Sequence, residues 1–318
     1  MPTPPVRRRH FLTASAATAL VATTGAAQVT AQPAGARPSV RRPATFRWLG
    51  TSGWRITIGS RTVLVDPYLT RFPTGLFTGA FDPRTPLRVD PAAIAAQAGR
   101  PESVWVTHTH WDHFNDVPHV ATTTGARVFG TLTAYHLGLA AGVPAAQLSP
   151  VKGGEVLDFG DHTVEVVASL HSRNAGYSMA FPGVRTAVPA APATIADLPE
   201  GDTLAFQITT DDGHSMFFMG ASDFDARNLD GLAPDVAAIA VPSSDATHAY
   251  VPRLLEALRY PAVVVPVHWD NFEQPLLNPP PVVDGDARRL SAFVDSVRRV
   301  SPRTRVIVPD YLTDYTFR

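Results

Sequence analysis

From Thr45 to Val65, apolar residues recur at every second position (Phe46, Trp48, then Trp54, Ile56, Ile58, then Val63, Val65), punctuated by Gly50, Gly53 and Gly59-Ser60. Period two with turn residues between the runs predicts a meander of short strands, closed by Pro67. Residues 70–90 lose this periodicity and hold Pro73, Gly75, Gly79, Pro83 and Pro86 among several aromatics. They read as a long irregular loop, and loops of that length in compact domains are commonly functional. Beyond it the chain alternates between the two periods. Residues 91–99, 133–141, 251–259 and 285–299 read as helices, the last amphipathic. Strands are predicted at Ser103–Val106, Ala126–Phe129, 155–159, 163–169, Leu204–Thr209, Ser215–Met219, Val236–Val241, Ala262–Val267 and Arg305–Val308. Asp211-Asp212-Gly213 supplies a hairpin turn, and the Pro/Ala-rich stretch 182–199 reads as an inserted loop. Strands first and strand–helix alternation afterwards imply α/β class: a sandwich of sheets with helices outside. No repeat and no linker divides residues 37–318.

The first 36 residues read differently. Arg8-Arg9-His10-Phe11-Leu12 matches the twin-arginine pattern, and a weakly apolar run from Leu12 to Ala27 follows, with small residues at Ala27, Ala31 and Ala36. The run is too short and too weakly apolar to span a bilayer. Residues 1–36 are therefore expected to be an export signal read by the twin-arginine machinery, delivering the protein outside the cytoplasm. Removing them takes away Arg7, Arg8 and Arg9 and no acids, leaving 24 basic against 28 acidic residues, a net of −4. Such a body has no electrostatic reason to bind nucleic acid or an anionic membrane, and the expected partner is a small-molecule substrate. Oligomeric state is not legible. The chain has no cysteine, so any metal site must be built from His, Asp and Glu.

Those residues are concentrated in one place. His108, His110, Asp112 and His113 lie within six residues at the end of an apolar strand. Imidazole nitrogen and carboxylate oxygen are the donors zinc accepts when thiolate is absent. A turn after such a strand can aim several of these side chains into one cleft, and H-x-H-x-D-H is far more specific than a histidine pair.

The chain resembles the metallo-β-lactamase superfamily over nearly all of residues 37–318, and within it is similar to the branch that includes L-ascorbate-6-phosphate lactonase. Five segments carry the resemblance in order: Leu64-Val65-Asp66-Pro67, His108 to His113, His171, Gly220-Ala221-Ser222-Asp223 and Val267-His268-Trp269-Asp270. It implies a four-layer αββα sandwich of two mixed sheets flanked by helices. It also implies two zinc ions, one held by His108, His110 and His171, the other by Asp112, His113 and His268, with Asp223 shared and buried Asp66 supporting the metal loop. Two departures stand out. Ser52 occupies a position where the first motif often has histidine, and the cysteine ligand of some β-lactamases is missing.

Two zinc ions about 3.5–4 Å apart would hold a water and lower its pKa to about 7, giving a hydroxide able to attack a carbonyl or phosphorus. Asp112 would orient it and relay its proton. Trp111 and Trp269, next to the ligands, either line an apolar pocket or pack the core. His248 is expected as a further polar site residue, and Arg173 and Asn174 either contact a carboxylate or phosphate or form a solvated loop. The leading expectation is hydrolysis of an ester, lactone or similar acyl bond (class EC 3.1). Phosphodiester or phospholipase-like cleavage and β-lactam hydrolysis are the alternatives, and a non-catalytic metal-binding protein is the contrasting class.

Overall fold

The alternating half of the chain builds one sheet, and the more continuous apolar runs of the second half build another. The computed structural model describes residues 44–316, and the expected export signal over 1–36 lies outside them. The first sheet runs β1 (Thr45–Gly50), β2 (Gly53–Ile58), β3 (Arg61–Val65), β4 (Ser103–Trp105), β5 (Arg127–Gly130) and β6 (Leu148–Pro150) in spatial order. The second contains β7 (Val156–Asp158), β8 (His162–Ser169), β9 (Thr203–Thr210), β10 (Ser215–Met219), β11 (Val236–Ala240), β12 (Val263–Val267) and β13 (Arg305–Val306), also in spatial order. The short β14 (Asp314–Tyr315) pairs with β1 on the side away from β2, so among the described residues each sheet has seven strands. Both sheets are mixed. Pairing is antiparallel through β1–β3 and β7–β10, and parallel through β3–β6 and β10–β13.

Strand alternation decides which side chains meet across the sandwich. Val63 and Val65 on β3 and Trp105 on β4 join the core between the sheets, while Leu64, Val104 and Val106 belong to the outer core beneath helices. Those helices are α1 (Pro91–Ala98), α2 (Trp111–Phe114), α3 (Val117–Thr124) and α4 (Leu132–Ala140). The second sheet is covered by α5 (Tyr250–Ala257) and α6 (Asp284–Val300), whose Leu254, Leu255, Phe293 and Val297 are buried. Burial on both faces explains why β11 and β12 read as unbroken apolar runs. Trp105 stacks on Phe129 with ring centroids 4.2 Å apart and is wholly buried. Truncating a residue so placed costs about 3–5 kcal/mol and would disturb the strand that feeds the histidine loop. The expected sandwich with outer helices is therefore the observed architecture. The sequence pattern did not predict α3, where Pro118 and a run of threonines hide the helix period, nor the short β6 and β14. Among the described residues, no helix is long and apolar enough to cross a membrane.

The topology has one consequence for chemistry. Asp66 follows β3, Thr107 to His113 follow β4, His171 follows β8, Gly220 follows β10 and His268 follows β12. β3 and β4 run parallel to each other, β10 and β12 both run parallel to β11, and β8 and β10 are both antiparallel to β9. Carboxyl ends of strands in such sheets form the usual rim for ligands.

Candidate metal centre

Asp66 organises the rim. It is fully buried, and its φ of +40° takes it out of β3 in a left-handed conformation that a non-glycine residue adopts only at a cost. Its Oδ1 accepts the Thr107 backbone N–H at 2.7 Å, and its Oδ2 accepts both the Thr107 hydroxyl and the Nδ1–H of His113 at 2.8 Å. One carboxylate thus locks the start of the histidine loop and fixes a tautomer. With Nδ1 donating to Asp66, the Nε2 lone pair of His113 faces Asp112 and His268. A carboxylate behind a ligating imidazole is the common outer support of metal-binding histidines.

The same accounting gives the other rings. The Thr107 hydroxyl spends its proton on Asp66, so it accepts from His108 Nδ1–H at 3.1 Å and frees His108 Nε2. The carbonyl of Ala180 takes the Nε2–H of His110 at 2.8 Å, freeing Nδ1, and the carbonyl of Ser172 takes the Nδ1–H of His171 at 2.7 Å, freeing Nε2. The three rings stand nearly edge to face, with centroids 4.7–4.9 Å apart. Asp112 Oδ2 lies 3.0 Å from His268 Nε2 and 3.5 Å from His113 Nε2, and those two nitrogens are 3.3 Å apart. His108, His110 and His171 therefore offer one set of donor atoms within 4.8 Å of one another, and Asp112, His113 and His268 offer a second. The freed nitrogens of His108, His110, His171 and His113, with His268 Nε2 once it gives up its hydrogen bond to Asp112, make both groups richer in nitrogen than in oxygen, a donor set that fits divalent cations of the zinc class.

Electrostatics agrees with that fit. Burial, reinforced by the neighbouring imidazoles, keeps His108 neutral, and burial pushes His110 and His171 down to about 4 and about 3. Burial opposes charge on Asp112, yet His113 and His268 hold its carboxyl well below the usual range. Burial is the largest influence on His268 and lowers it, but the hydrogen bond to Asp112 and the charges of Asp112 and Asp270 together raise it overall. Neutral His108, His110 and His171 and an ionised Asp112 are the protonation states a metal ion requires, and the raised His268 would release its proton on binding one.

His268 is held by strain. Its φ is +64°, and its N–H donates to the carbonyl of Thr51, itself at φ +51°, at 2.8 Å. Thr51 N–H in turn donates to the fully buried Asp270 at 3.0 Å, which also accepts from Tyr311 Oη at 2.7 Å and from Arg71 at 3.2 Å. Asp270 anchors the loop that turns His268 inward.

His108, His110, Asp112, His171 and His268 line a cavity of about 530 Å³, with His113 buried behind them. Leu76, Phe77, Phe81, Trp111 and Phe272 form its apolar wall, and Ser222, Ser243, Asp286 and Arg289 its polar one. Trp111 both lines this wall and belongs to the buried outer core, meeting Phe81 and Phe181 at about 6 Å.

Three of the expected site residues lie outside both donor groups and outside this cavity. Asp223 joins neither donor group. Its Oδ1 accepts the N–H of Phe224, its carbonyl accepts the Ser169 hydroxyl, and its backbone pairs with Leu170, so it lines a neighbouring cavity on the far side of His171. The reason is local. A Cβ on Gly220 would lie 2.3 Å from Thr107 Oγ1, so the chain leaves β10 hard against the metal loop and presents Ala221 and Ser222 to the cavity before Asp223. Trp269 packs in the core, stacked on Trp48 at 5.5 Å with its indole N–H on the Pro266 carbonyl. His248 is exposed beyond the short turn over Ser244–Ala246 and does not line the cavity. Conversely, Asp286 and Arg289 on α6 line the cavity without having been foreseen. Only the amphipathic period of that helix was visible in sequence. Phe77 and Phe81 belong to the long irregular loop, whose length was the available signal.

Comparison with known proteins agrees with this geometry. Residues 61–269 match the β-lactamase superfamily domain. A UPF0173 metal-dependent hydrolase of Pyrobaculum calidifontis is 28% identical over 264 residues, covering 80% of this chain and 93% of that protein. Another, from Myxococcus xanthus, is 25% identical over 271 residues, covering 83% and 80% respectively. Among solved structures, the metallo hydrolase Igni18 of Ignicoccus hospitalis shares the fold with a TM-score of 0.57 at 19% identity, covering 87% of this chain and 99% of that one. The chain thus belongs to the metallo-β-lactamase superfamily and is a metal-dependent hydrolase with UPF0173 homologues.

Proposed function

We propose that the protein is an exported dinuclear zinc hydrolase that cleaves an ester, lactone or similar acyl bond in a small molecule, in the manner of the L-ascorbate-6-phosphate lactonase-like branch. The observation that carries this is the pair of buried donor groups opening into one cavity with an apolar wall. Zinc in these groups would supply Lewis acidity and a water ionised near neutral pH. The rest falls to the chain. Trp111, Phe81 and Phe272 hold the hydrocarbon of the substrate and exclude water beside the reacting bond. Asp112, ionised and lining the cavity, accepts the proton of the attacking water and passes it to the leaving oxygen. Asp66 and Asp270 keep the imidazoles of His113 and His268 in place throughout.

The apolar wall favours acyl over phosphodiester chemistry, because a phosphodiester would bring its charge against five large apolar side chains. Export rests on Arg8-Arg9-His10-Phe11-Leu12. The test is metal analysis of the purified protein together with hydrolysis of 4-nitrophenyl acetate and bis(4-nitrophenyl) phosphate. Two zinc ions per chain with preferential cleavage of the acetate are expected. Protein without transition metal, or cleavage of the phosphodiester alone, would overturn the reading.

A further inference from the structure

The strap that follows His171 has a second polar pocket beneath it. Arg173, Asn174 and Tyr177 line a pocket of about 450 Å³, and its opposite side is formed by Ser243, Asp245 and Arg289. Ser243 and Arg289 also line the metal cavity, so the two spaces share a wall.

The two guanidinium groups are not equally committed. Arg289 Nη1 donates to Asp286 Oδ1 at 2.7 Å, which fixes its orientation from within α6. Its Nε and Nη2 reach only 3.4 Å to Asp245 Oδ2, and the Asp245 side chain is 72% exposed. Exposed pairs at such a distance contribute between nothing and about 1 kcal/mol, so Asp245 is easily displaced. Arg173 donates to the Tyr177 carbonyl at 3.2 Å and, among the described residues, takes part in no ion pair. Asn174 Oδ1 accepts the N–H groups of Gly176 and Ser178, a turn that presents Arg173 to the pocket. Two arginines thus face one small space against a single exposed carboxylate.

We infer that this pocket binds an oxyanionic group of the substrate. The substrate is then an amphiphile. Its hydrocarbon lies on the Trp111 wall, its scissile bond meets the donor groups, and its carboxylate or phosphate-type end is gripped by Arg289 and Arg173. Guanidinium suits either oxyanion through paired N–H donors. The middle element of this picture rests on the acyl-hydrolase reading of the cavity, while the anion pocket itself does not.

Isothermal titration of the zinc-loaded protein with hexanoate, hexylphosphonate and 1-hexanol tests it without any turnover. Both anions should bind more tightly than hexanol. R173Q and R289Q should each weaken the anions by roughly tenfold and leave hexanol unchanged, whereas coordination of the anions to zinc would be the same in all three proteins. The preferred anion identifies the headgroup. R289K, which keeps the charge and loses the fork, should retain part of the binding. Anion affinity unchanged in both glutamine variants overturns the inference, as does hexanol weakened as much as the anions. Failure here leaves hydrolysis of 4-nitrophenyl acetate as an independent result, and failure of that hydrolysis leaves the anion titration standing.

Discussion

His108, His110 and His171 on one side, and Asp112, His113 and His268 on the other, each offer three donors, yet what stands behind them differs. The first group is three neutral imidazoles whose outer nitrogens bond to a hydroxyl and two backbone carbonyls. The second contains a carboxylate and is backed by another, Asp66, on His113. Its third member sits on a strained residue tied through Thr51 to Asp270, where Arg71 and Tyr311 complete a buried network. The carboxylate group would therefore hold a dication by charge as well as geometry, and the imidazole group by geometry alone. Equal ligand count does not mean equal grip.

Removing the charged group should do the most damage. D112A combined with H113A is expected to lower kcat on 4-nitrophenyl acetate by about 10³-fold or more, since a proton-transfer residue and a cation site disappear together. Elemental analysis should find at most one zinc per chain. Turnover at the wild-type rate in this variant would end the metal-centre reading.

The reciprocal change comes next. H171A should leave the carboxylate group loaded, so that zinc falls from two ions to one, with a loss of about 10²-fold in kcat. In the unaltered protein, graded exposure to a chelator should strip the imidazole group first. Simultaneous loss of both ions would show that the two groups grip alike.

Asp66→Asn acts one layer out. An asparagine has one acceptor oxygen where Asp66 satisfies the Thr107 N–H, the Thr107 hydroxyl and His113. One buried donor is left unpaired, at about 1–3 kcal/mol of stability, and zinc affinity should fall by roughly 10–100-fold. Competition with a chromogenic chelator measures the second effect and thermal unfolding the first. Affinity unchanged despite lowered stability would confine Asp66 to a role in folding.

The structure brings together candidate ligands that the sequence offers in one loop and at the ends of strands. His108 to His113 form one short loop, and His171 and His268 stand at strand ends that the topology brings to one rim. The sheets were legible because periods of two and unbroken apolar runs report burial directly. Asp223 lies apart from both donor groups because a motif counts residues while the backbone counts space. The close packing of Gly220 on Thr107 and Asp66 advances the turn, and the carboxylate arrives two residues too late to face the donors. Trp269 and His248 were judged by their neighbours in sequence, but Trp269 follows a residue with reversed φ and points into the core against Trp48. Arg289 could not have been found from its own helix, because an amphipathic period says which face is buried and not what lies beneath it.

The smallest effects concern the space between the two groups, and here two variants should diverge. Asp223→Asn should leave zinc content and affinity unchanged, because that side chain engages Phe224 and lies outside both donor sets. Ala221→Asp should do the opposite. Ala221 lines the cavity, belongs to neither apolar core and is only 4% exposed. A carboxylate there would be buried beside the donors, so it would penalise the metal-free protein and favour the loaded one. Zinc affinity should rise by roughly tenfold, the scale of one added partner. The rise in Tm on zinc addition should exceed that of the unaltered protein, and the imidazole group should lose its ion to chelator no faster than the carboxylate group. If Ala221→Asp changes nothing while Asp223→Asn releases zinc, the turn after β10 carries a bridging ligand after all, and the unequal grip of the two groups loses its basis.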